Sequence, residues 1–249
     1  MTDLFYRYPP LVQGTLLRRY KRFMADIELE SGEVITAHCP NTGPMTGVCL
    51  PGCPVAVSVS ENPKRKYAHT WELIQVPDPA PTWVGVNTSL PNRLVKLALE
   101  QHLIPEVGPY GEIQTEVGYG QENSRIDFRL MPPQESQQTP QQQPFKQIYV
   151  EVKNTTWAEQ GVALFPDTVT TRGQKHLREL MTLLPEHRSV LVFFINRGDC
   201  ESFAPGDRAD PTYGKLLRAA LAQGVTVLPC RFEVSPEGVA YRGLATLHL

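Results

Sequence analysis

The first third of the chain alternates apolar and polar residues over several short segments. In residues 23–29, apolar side chains stand at Phe23, Ala25, Ile27 and Leu29, a period of two that is typical of a half-buried strand. Segments of this kind are separated by Gly and Pro turns, and they predict strands at 11–17, 23–29, 34–38, 54–60 and 71–76. Five short strands in succession predict a small barrel such as an OB-fold, and the pattern alone fits other five-stranded barrels equally well.

The pattern changes after residues 77–81. Three of these five residues are proline, which neither a central strand nor a helix interior accepts, so we expect a linker there. Apolar residues then recur at helical spacing, and Gly224 is suited to ending the last helix. The predicted order is helix 90–103, strands 113–117, 124–130 and 148–152, helix 170–184, strand 190–195, helix 213–223 and strand 225–228. This order predicts mixed α/β layers and two domains, residues 1–86 and 87–249. The Gln- and Pro-rich residues 131–144 predict a solvated loop.

Four charged residues lie on three consecutive predicted strands. Glu151 and Lys153 are two positions apart, so they project from the same face of their strand. Asp127 stands in an apolar stretch of the preceding strand, and Glu116 lies on the strand before that. Crowded carboxylates must be neutralised by protonation or by a cation, and Mg²⁺ typically takes one or two carboxylates together with water. The spacing therefore predicts a divalent metal site, and the alternative is a structural salt bridge of Lys153.

Several longer segments carry a resemblance to a known family. The segments are HCPNTGPM at 38–45, KRKYAHTWEL at 64–73, SRIDF at 124–128, YVEVKN at 149–154 and FPDTVTTRGQKHLREL at 165–180. Together they resemble signatures of the sugar fermentation stimulation protein family, SfsA, over nearly the whole chain. The resemblance implies an α/β fold with an N-terminal five-stranded OB-like β-barrel, followed by a PD-(D/E)XK restriction-endonuclease-like domain.

The resemblance also implies DNA binding and metal-dependent DNA or RNA cleavage. On this interpretation Asp127 and Glu151 hold Mg²⁺ or Mn²⁺, and Glu116 assists them. Lys153 orients the attacking water or stabilises charge on the phosphate. The alternative is a non-catalytic, non-specific DNA-binding regulator of sugar (maltose) metabolism genes, which would use the same fold without turnover.

Three polar residues follow on the predicted helix 170–184. Gln174 is expected to position the water or a phosphate oxygen, which completes a candidate catalytic set with Glu116, Asp127, Glu151 and Lys153. Arg172 and Lys175 are expected to bind the phosphate backbone. The alternative is an ordinary polar face of a helix.

The formal net charge of −2 argues against a uniformly basic protein that coats nucleic acid. The positions of the charges are more informative than the net charge. Seven of the eight Lys and Arg residues among the first 86 fall in two short clusters. The predicted nucleic-acid-binding residues are Arg18, Arg19, Tyr20, Lys21 and Arg22, with Lys64, Arg65 and Lys66 at the far end of the barrel. Cations pair with phosphates and aromatic rings stack on bases, so the clusters predict a binding platform. The alternative is a solvated face with Tyr20 and Phe23 in the core.

The five cysteines are odd in number, and no signal peptide or membrane span is recognisable. We expect a cytoplasmic protein with free thiols, with DNA and RNA as partners and homodimerisation left open. A zinc site at His38, Cys39, Cys49 and Cys53 is a weaker alternative, because the spacing does not match the usual knuckle. The loop 41–47 would allow close approach of a phosphate backbone, although a structural connection is the simpler interpretation.

Overall fold

The computed structural model describes residues 3–77, 80–120, 124–133 and 147–249. Its first strands are β1 (Tyr6–Arg7), β2 (Leu11–Tyr20), β3 (Met24–Leu29), β4 (Val34–His38), β5 (Pro54–Val59), β6 (His69–Val76) and β7 (Thr82–Gly85). Its later strands are β8 (Ile113–Tyr119), β9 (Ser124–Leu130), β10 (Ile148–Thr155), β11 (Ala158–Glu159), β12 (Val162–Phe165), β13 (Arg188–Ile195), β14 (Ser202–Pro205), β15 (Thr226–Ser235), β16 (Gly238–Leu244) and β17 (Thr246–Leu247). The α-helices are α1 (Leu90–Glu100), α2 (Thr171–Thr182) and α3 (Pro211–Gln223). Most of the predicted loop at 131–144, and residues 78–79 of the predicted linker, lie outside these ranges.

Strands β2 to β6 form the predicted five-stranded barrel. The sheet order is β4-β3-β2-β5-β6-β7, and a parallel pairing of β4 with β6 closes the barrel. Alternate residues of each strand point inward, so Leu16, Ile27 and Trp71 are fully buried in one apolar cluster. The sequence pattern did not predict β7, which follows the proline-rich segment and adds to the edge of β6.

The larger sheet and the three α-helices form mixed α/β layers, as predicted. A seven-stranded sheet in the order β1-β16-β15-β13-β10-β9-β8 separates α1 on one face from α2 and α3 on the other. Strands β10, β13 and β15 run parallel at its centre, and seven of the eight residues of β13 are buried. The side chain of Thr170 caps α2, the side chain of Asp210 caps α3, and Gly224 ends α3 with φ of +104°. The mixed α/β fold class is therefore confirmed.

The observed organisation departs from the predicted one in several places, among them strand β16, which lies beyond the last predicted strand. Tyr6 and Arg7 pair with β16, so this part of the predicted first domain lies in the second sheet. Strands β11, β12, β14 and β17 form a separate four-stranded sheet that the sequence did not reveal. These strands have only two to four residues each, which is too few for a two-residue period to be recognised.

Candidate active site and nucleic-acid surface

The site lies where two strands of the large sheet separate. Strand β9 pairs with β10 only as far as Phe128 and Val150. Beyond this point β10 continues beside β13 for five more residues, up to Thr155. Glu151 and Lys153 lie in this section, so the edge of β10 that faces β9 is open beside them.

Strand β9 changes face at Asp127. Ile126 packs with the core on the α2 side and Phe128 with the core on the α1 side, although residues two apart normally share a face. The β8–β9 register places Glu116 opposite Asp127, and Glu116 has φ of +53°, which is uncommon for any residue except Gly. The distortion turns the carboxylate of Asp127 toward β10, while Glu116 is exposed.

Asp127 is held in place by two donors. Its Oδ2 accepts a hydrogen bond of 2.7 Å from the backbone N–H of Val152, and its Oδ1 accepts one of 2.6 Å from Nδ2 of Asn92 on α1. Burial and the nearby Glu151 raise the pKa of Asp127 to about 6, against the opposing effects of the Val152 amide, Lys153 and Asn92.

Glu151 forms the centre of the cluster and is 2% exposed. Its Oε1 accepts a hydrogen bond of 2.6 Å from Nζ of Lys153 and another from Nδ1 of His176. Burial alone would raise the pKa of Glu151, but Lys153 and His176 more than offset it, so the net shift is downward. Its Oε2 is buried and has no hydrogen-bond partner among the described residues. Glu151 is therefore held as an ionised carboxylate with one buried oxygen that lacks a hydrogen-bond partner in the described part of the chain.

His176 on α2 belongs to the cluster but was not predicted from the sequence. It is buried, and its Nδ1 lies 3.2 Å from Nζ of Lys153. Arg172, one turn earlier, donates to its Nε2 at 3.4 Å. An arginine can only donate and the Glu151 carboxylate can only accept, so a neutral His176 ring with its proton on Nδ1 satisfies both of these contacts. The Arg172–His176 spacing of four was visible in the sequence, but no local pattern indicated that His176 would contact Glu151 on another element.

A second buried carboxylate lies one turn further along α2. Glu179 is 4% exposed, and neither of its oxygens has a hydrogen-bond partner among the described residues. Gly120 lies against it, since a Cβ at Gly120 would stand 2.5 Å from Oε1 of Glu179. The hydroxyl of Tyr119 is likewise buried without a partner in the described part of the chain. The sequence pattern did not predict the contact between Glu179 and Gly120, because it joins α2 to the end of β8.

The other predicted residues of α2 are Gln174, Lys175 and Arg172. Nε2 of Gln174 donates to both oxygens of Asp210, at 3.0 and 2.9 Å, and thereby ties α2 to the start of α3. Lys175 is half-buried and Arg172 is exposed. The roles predicted for Gln174 and Lys175 at the substrate remain predictions.

Two carboxylates of the predicted metal site come together, but a complete set of three does not. Within residues 3–77, 80–120, 124–133 and 147–249, no group of three His, Cys, Asp or Glu side chains is arranged to hold a metal ion. The zinc alternative at His38 and the cysteines is therefore wrong, and Cys39 is instead a buried thiol whose Sγ donates to the carbonyl of Asn41. The ligand role of Glu116 remains a prediction. Asp127 and Glu151 with added water suit Mg²⁺ or Mn²⁺, because two carboxylates suffice for a hard ion that retains water.

The two basic clusters lie at the same end of the barrel, so the prediction of opposite ends is wrong. His38 pairs with Met24 on one side and with Thr70 on the other, and this closure brings the β5–β6 loop beside the β2–β3 hairpin. The hydroxyl of Tyr67 lies 3.7 Å from Sδ of Met24. We call the exposed residues Lys21, Arg22, Phe23, Lys64, Arg65 and Lys66 the barrel-end surface.

Arg18, Arg19 and Arg65 of the predicted binding residues have hydrogen-bond partners in the protein, and Nη2 of Arg65 donates to Oγ1 of Thr70 at 3.1 Å. Arg19 donates from Nη2 to the carbonyl oxygens of Arg22, Asn41 and Gly43, at 2.7, 2.9 and 3.0 Å. It therefore supports the loop after β4. Arg18 pairs with Asp26 at 2.8 Å and lies over the ring of Tyr20, although its side chain is 70% exposed.

The tip of the β2–β3 hairpin is open to solvent. Lys21 and Arg22 have φ of +49° and +65°, and this tight turn leaves Phe23 45% exposed. The alternative in which Phe23 belongs to the core is therefore wrong, while Tyr20 is half-buried. An exposed aromatic ring beside several lysines and arginines has the composition of a single-strand binding surface.

Among the described residues, no helix combines the length and the apolar composition that a membrane crossing requires.

Comparisons with known proteins agree with both halves of this architecture. The family model described as the SfsA N-terminal OB domain matches residues 17–86, and the one described as the sugar fermentation stimulation protein RE domain matches residues 89–238. A sugar fermentation stimulation protein homolog from Cyanothece sp. is 64% identical over 100% of both chains, and one from Synechococcus elongatus is 63% identical over 100% of both. The fold matches the structure of Pyrococcus furiosus SfsA in complex with Ca²⁺, with a TM-score of 0.83, 24% identity and 99% of each chain covered. The chain therefore belongs to the sugar fermentation stimulation protein family.

Proposed function

We propose that this protein binds DNA or RNA and hydrolyses phosphodiester bonds with the help of Mg²⁺ or Mn²⁺. One observation carries the proposal. The half-buried carboxylate of Asp127 and the buried one of Glu151 lie beside Lys153 where β9 and β10 separate, and Oε2 of Glu151 has no hydrogen-bond partner in the described part of the protein. A buried carboxylate oxygen without a partner is costly unless a ligand completes it.

Asp127 and Glu151 are the residues that would hold the metal ion. When bound, such an ion polarises a phosphodiester oxygen and lowers the pKa of a coordinated water. The Ca²⁺ in the Pyrococcus furiosus relative supports a divalent cation in this family. The amide of Val152 and the side chain of Asn92 fix the carboxylate of Asp127, so little of its rotational freedom remains to be lost on binding.

Lys153 supplies the positive charge. Its Nζ is held by Oε1 of Glu151 at 2.6 Å, and its side chain is only 13% exposed. An ammonium group in a partly dry site stabilises charge that develops on a phosphate more strongly than it would in water. His176 and Arg172 orient Glu151 from behind, as groups beyond the ligands commonly do in metal sites.

The barrel-end surface would bind the strand outside the site. OB-folds bind oligonucleotides with the loops that here correspond to the β2–β3 and β5–β6 connections. Lys21, Arg22 and Lys64 to Lys66 offer cations for phosphates, and Phe23 offers a ring for a base. The five free cysteines support a cytoplasmic location.

A second candidate function is nucleic-acid binding without cleavage, as in a non-catalytic regulator. The observation in its favour is the absence, within the described ranges, of a ready group of three metal-binding side chains. The two candidates differ in whether bound nucleic acid is cut.

A metal-titrated cleavage assay tests the proposal. Labelled single- and double-stranded DNA and RNA would be incubated with the protein in Mg²⁺, in Mn²⁺ and in EDTA, with Asp127→Asn as the matched variant. We expect cleavage that depends on the metal and is lost in the variant. Binding without cleavage in every metal would favour the second candidate, and cleavage that survives EDTA would overturn the metal assignment.

A further inference from the structure

A polar cleft of about 120 Å³ lies between the barrel and the end of β10. Asn41 and Gly43 line it from the loop after β4, and Asn154, Trp157 and Asp167 line it from the larger domain. Asn154 follows Lys153 on β10, and neighbouring strand residues point to opposite faces, so the Asn154 side chain lies on the face of β10 away from Glu151 and Lys153.

The barrel side of the cleft is fixed by hydrogen bonds. Nη2 of Arg19 donates to the carbonyl oxygens of Asn41 and Gly43, and Oδ1 of Asn41 accepts from the backbone N–H of Gly43 at 2.9 Å. The N–H of Thr46 donates to Oδ2 of Asp167 at 3.3 Å, which attaches the loop to the larger domain. The loop therefore has a defined shape before any ligand arrives.

The opposite side is equally well defined. Oδ1 of Asn154 accepts from Nδ2 of Asn196 at 3.2 Å, so the amide nitrogen is the end of the Asn154 side chain left for other partners. Trp157 is 5% exposed, and the guanidinium carbon of Arg208 lies over its ring at 5.4 Å. This side offers an amide and the part of an indole that lines the cleft.

We propose that the cleft binds one nucleotide base, turned out of a strand that the barrel-end surface holds. The small volume of about 120 Å³ favours a single planar ring system over two stacked bases. Asparagine amides can donate to and accept from the edge of a base, and aromatic walls suit its faces.

The path to the cleft is continuous with the barrel-end surface. Arg19 donates both to the carbonyl of Arg22 in the hairpin and to that of Asn41 in the cleft wall. A strand held at Phe23 and Arg22 thus passes along one connected surface to Asn41. The inference rests on the proposed function in one respect, since it assumes that the protein binds nucleic acid. It does not require that the bound strand is cleaved.

The test uses the fluorescence of Trp157 in the full chain, with EDTA present so that no metal-dependent cleavage occurs. The probes are a short oligothymidylate and the matching abasic phosphate strand. We expect saturable quenching by the oligothymidylate, none by the abasic strand, and loss of the signal in Trp157→Phe. Asn154→Ala and Asn41→Ala should each weaken the quenching affinity about tenfold. Gln223→Ala, at the exposed end of α3, removes an amide outside the cleft and the barrel-end surface, and as the matched control it should leave the affinity unchanged.

Thermal unfolding of each variant separates a binding defect from a folding defect. Equal quenching by both strands, or unchanged affinity in folded Asn41→Ala and Asn154→Ala proteins, would overturn the cleft proposal. Base-dependent quenching in a protein that cleaves nothing with any metal would leave the cleft standing and remove the nuclease proposal. Cleavage without base-dependent quenching would support the nuclease proposal and overturn the cleft proposal.

Discussion

Oδ2 of Asp127 accepts a hydrogen bond of 2.7 Å from the backbone amide of Val152, although the strands that carry them stop pairing at Phe128 and Val150. A side chain of β9 thus takes the place that a backbone carbonyl would occupy in a continued ladder. The exchange satisfies the amide and brings a carboxylate to the open edge of β10, beside Glu151 and Lys153. The loss of regular pairing is therefore what builds the site.

Asp127 gives a prediction about stability and pH. Its pKa is raised from 3.8 to about 6 in the folded protein, so it favours folding below pH 3.8, and this contribution is lost as the pH rises through about 6. A shift of about two units corresponds to about 3 kcal/mol as an upper bound. In metal-free protein, the stability of Asp127→Asn relative to the wild type should therefore increase between about pH 4 and pH 7. Urea unfolding at both pH values measures this difference in the free energy of unfolding. A difference that stays the same at pH 4 and pH 7 would contradict the prediction.

His176 is expected to act on the metal through Glu151. Replacing it with Ala removes a hydrogen bond to Oε1 of Glu151, and we expect metal affinity and activity to fall about 10- to 100-fold. His176→Asn is the matched variant, because its amide can donate in the place of Nδ1 and should restore part of the loss. Calorimetric titration with Ca²⁺ measures the affinity without turnover. If His176→Ala lowered only the melting temperature, its role would be structural alone.

Arg19 and Arg22 belong to one sequence cluster but should respond differently to substitution. Arg19 donates to three backbone carbonyls, so Arg19→Ala should cost about 1–3 kcal/mol of stability, measured by urea unfolding. Lys21→Ala with Arg22→Ala should leave stability within about 0.5 kcal/mol and reduce the dependence of binding on salt, because each lost phosphate contact lowers the slope by about one. If Arg19→Ala and the double variant of Lys21 and Arg22 changed the free energy of unfolding equally, the distinction between a structural arginine and exposed binding residues would be wrong.

Phe23 is expected to stack on an unpaired base. Because its ring is 45% exposed, Phe23→Ala should weaken binding to single-stranded DNA by about 1–3 kcal/mol and binding to duplex DNA far less. Phe23→Tyr retains a flat ring and is the matched control. Fluorescence anisotropy with labelled strands gives both affinities. Equal losses on the two substrates would argue against stacking.

Much of the fold could be predicted because its strands and helices show clear periods. The alternation in residues 23–29 and the buried run of β13 each had one simple interpretation, and the strand carrying Asp127 was predicted with its observed bounds. Strand β1 could not be predicted, since two residues have no period and their partner β16 lies more than 200 residues away.

The site was predicted in part for a similar reason. Glu151 and Lys153 share a face because of local strand geometry, which the sequence reveals. Asn92 and His176 join them through contacts between distant elements, and those depend on how α1 and α2 pack on the sheet. The predicted position of Lys64 to Lys66 was wrong, because their actual position depends on the pairing of β4 with β6. No local sequence pattern encodes that pairing.

The most direct test is the single-turnover cleavage of a labelled oligonucleotide by Lys153→Ala and wild-type protein in Mg²⁺, with strand binding measured in parallel. The nuclease proposal predicts that the variant binds the strand within a few-fold of the wild type but cleaves it at least about 100-fold more slowly, because charge on the phosphate loses its stabilising ammonium group. Cleavage by Lys153→Ala at the wild-type rate would contradict the proposal.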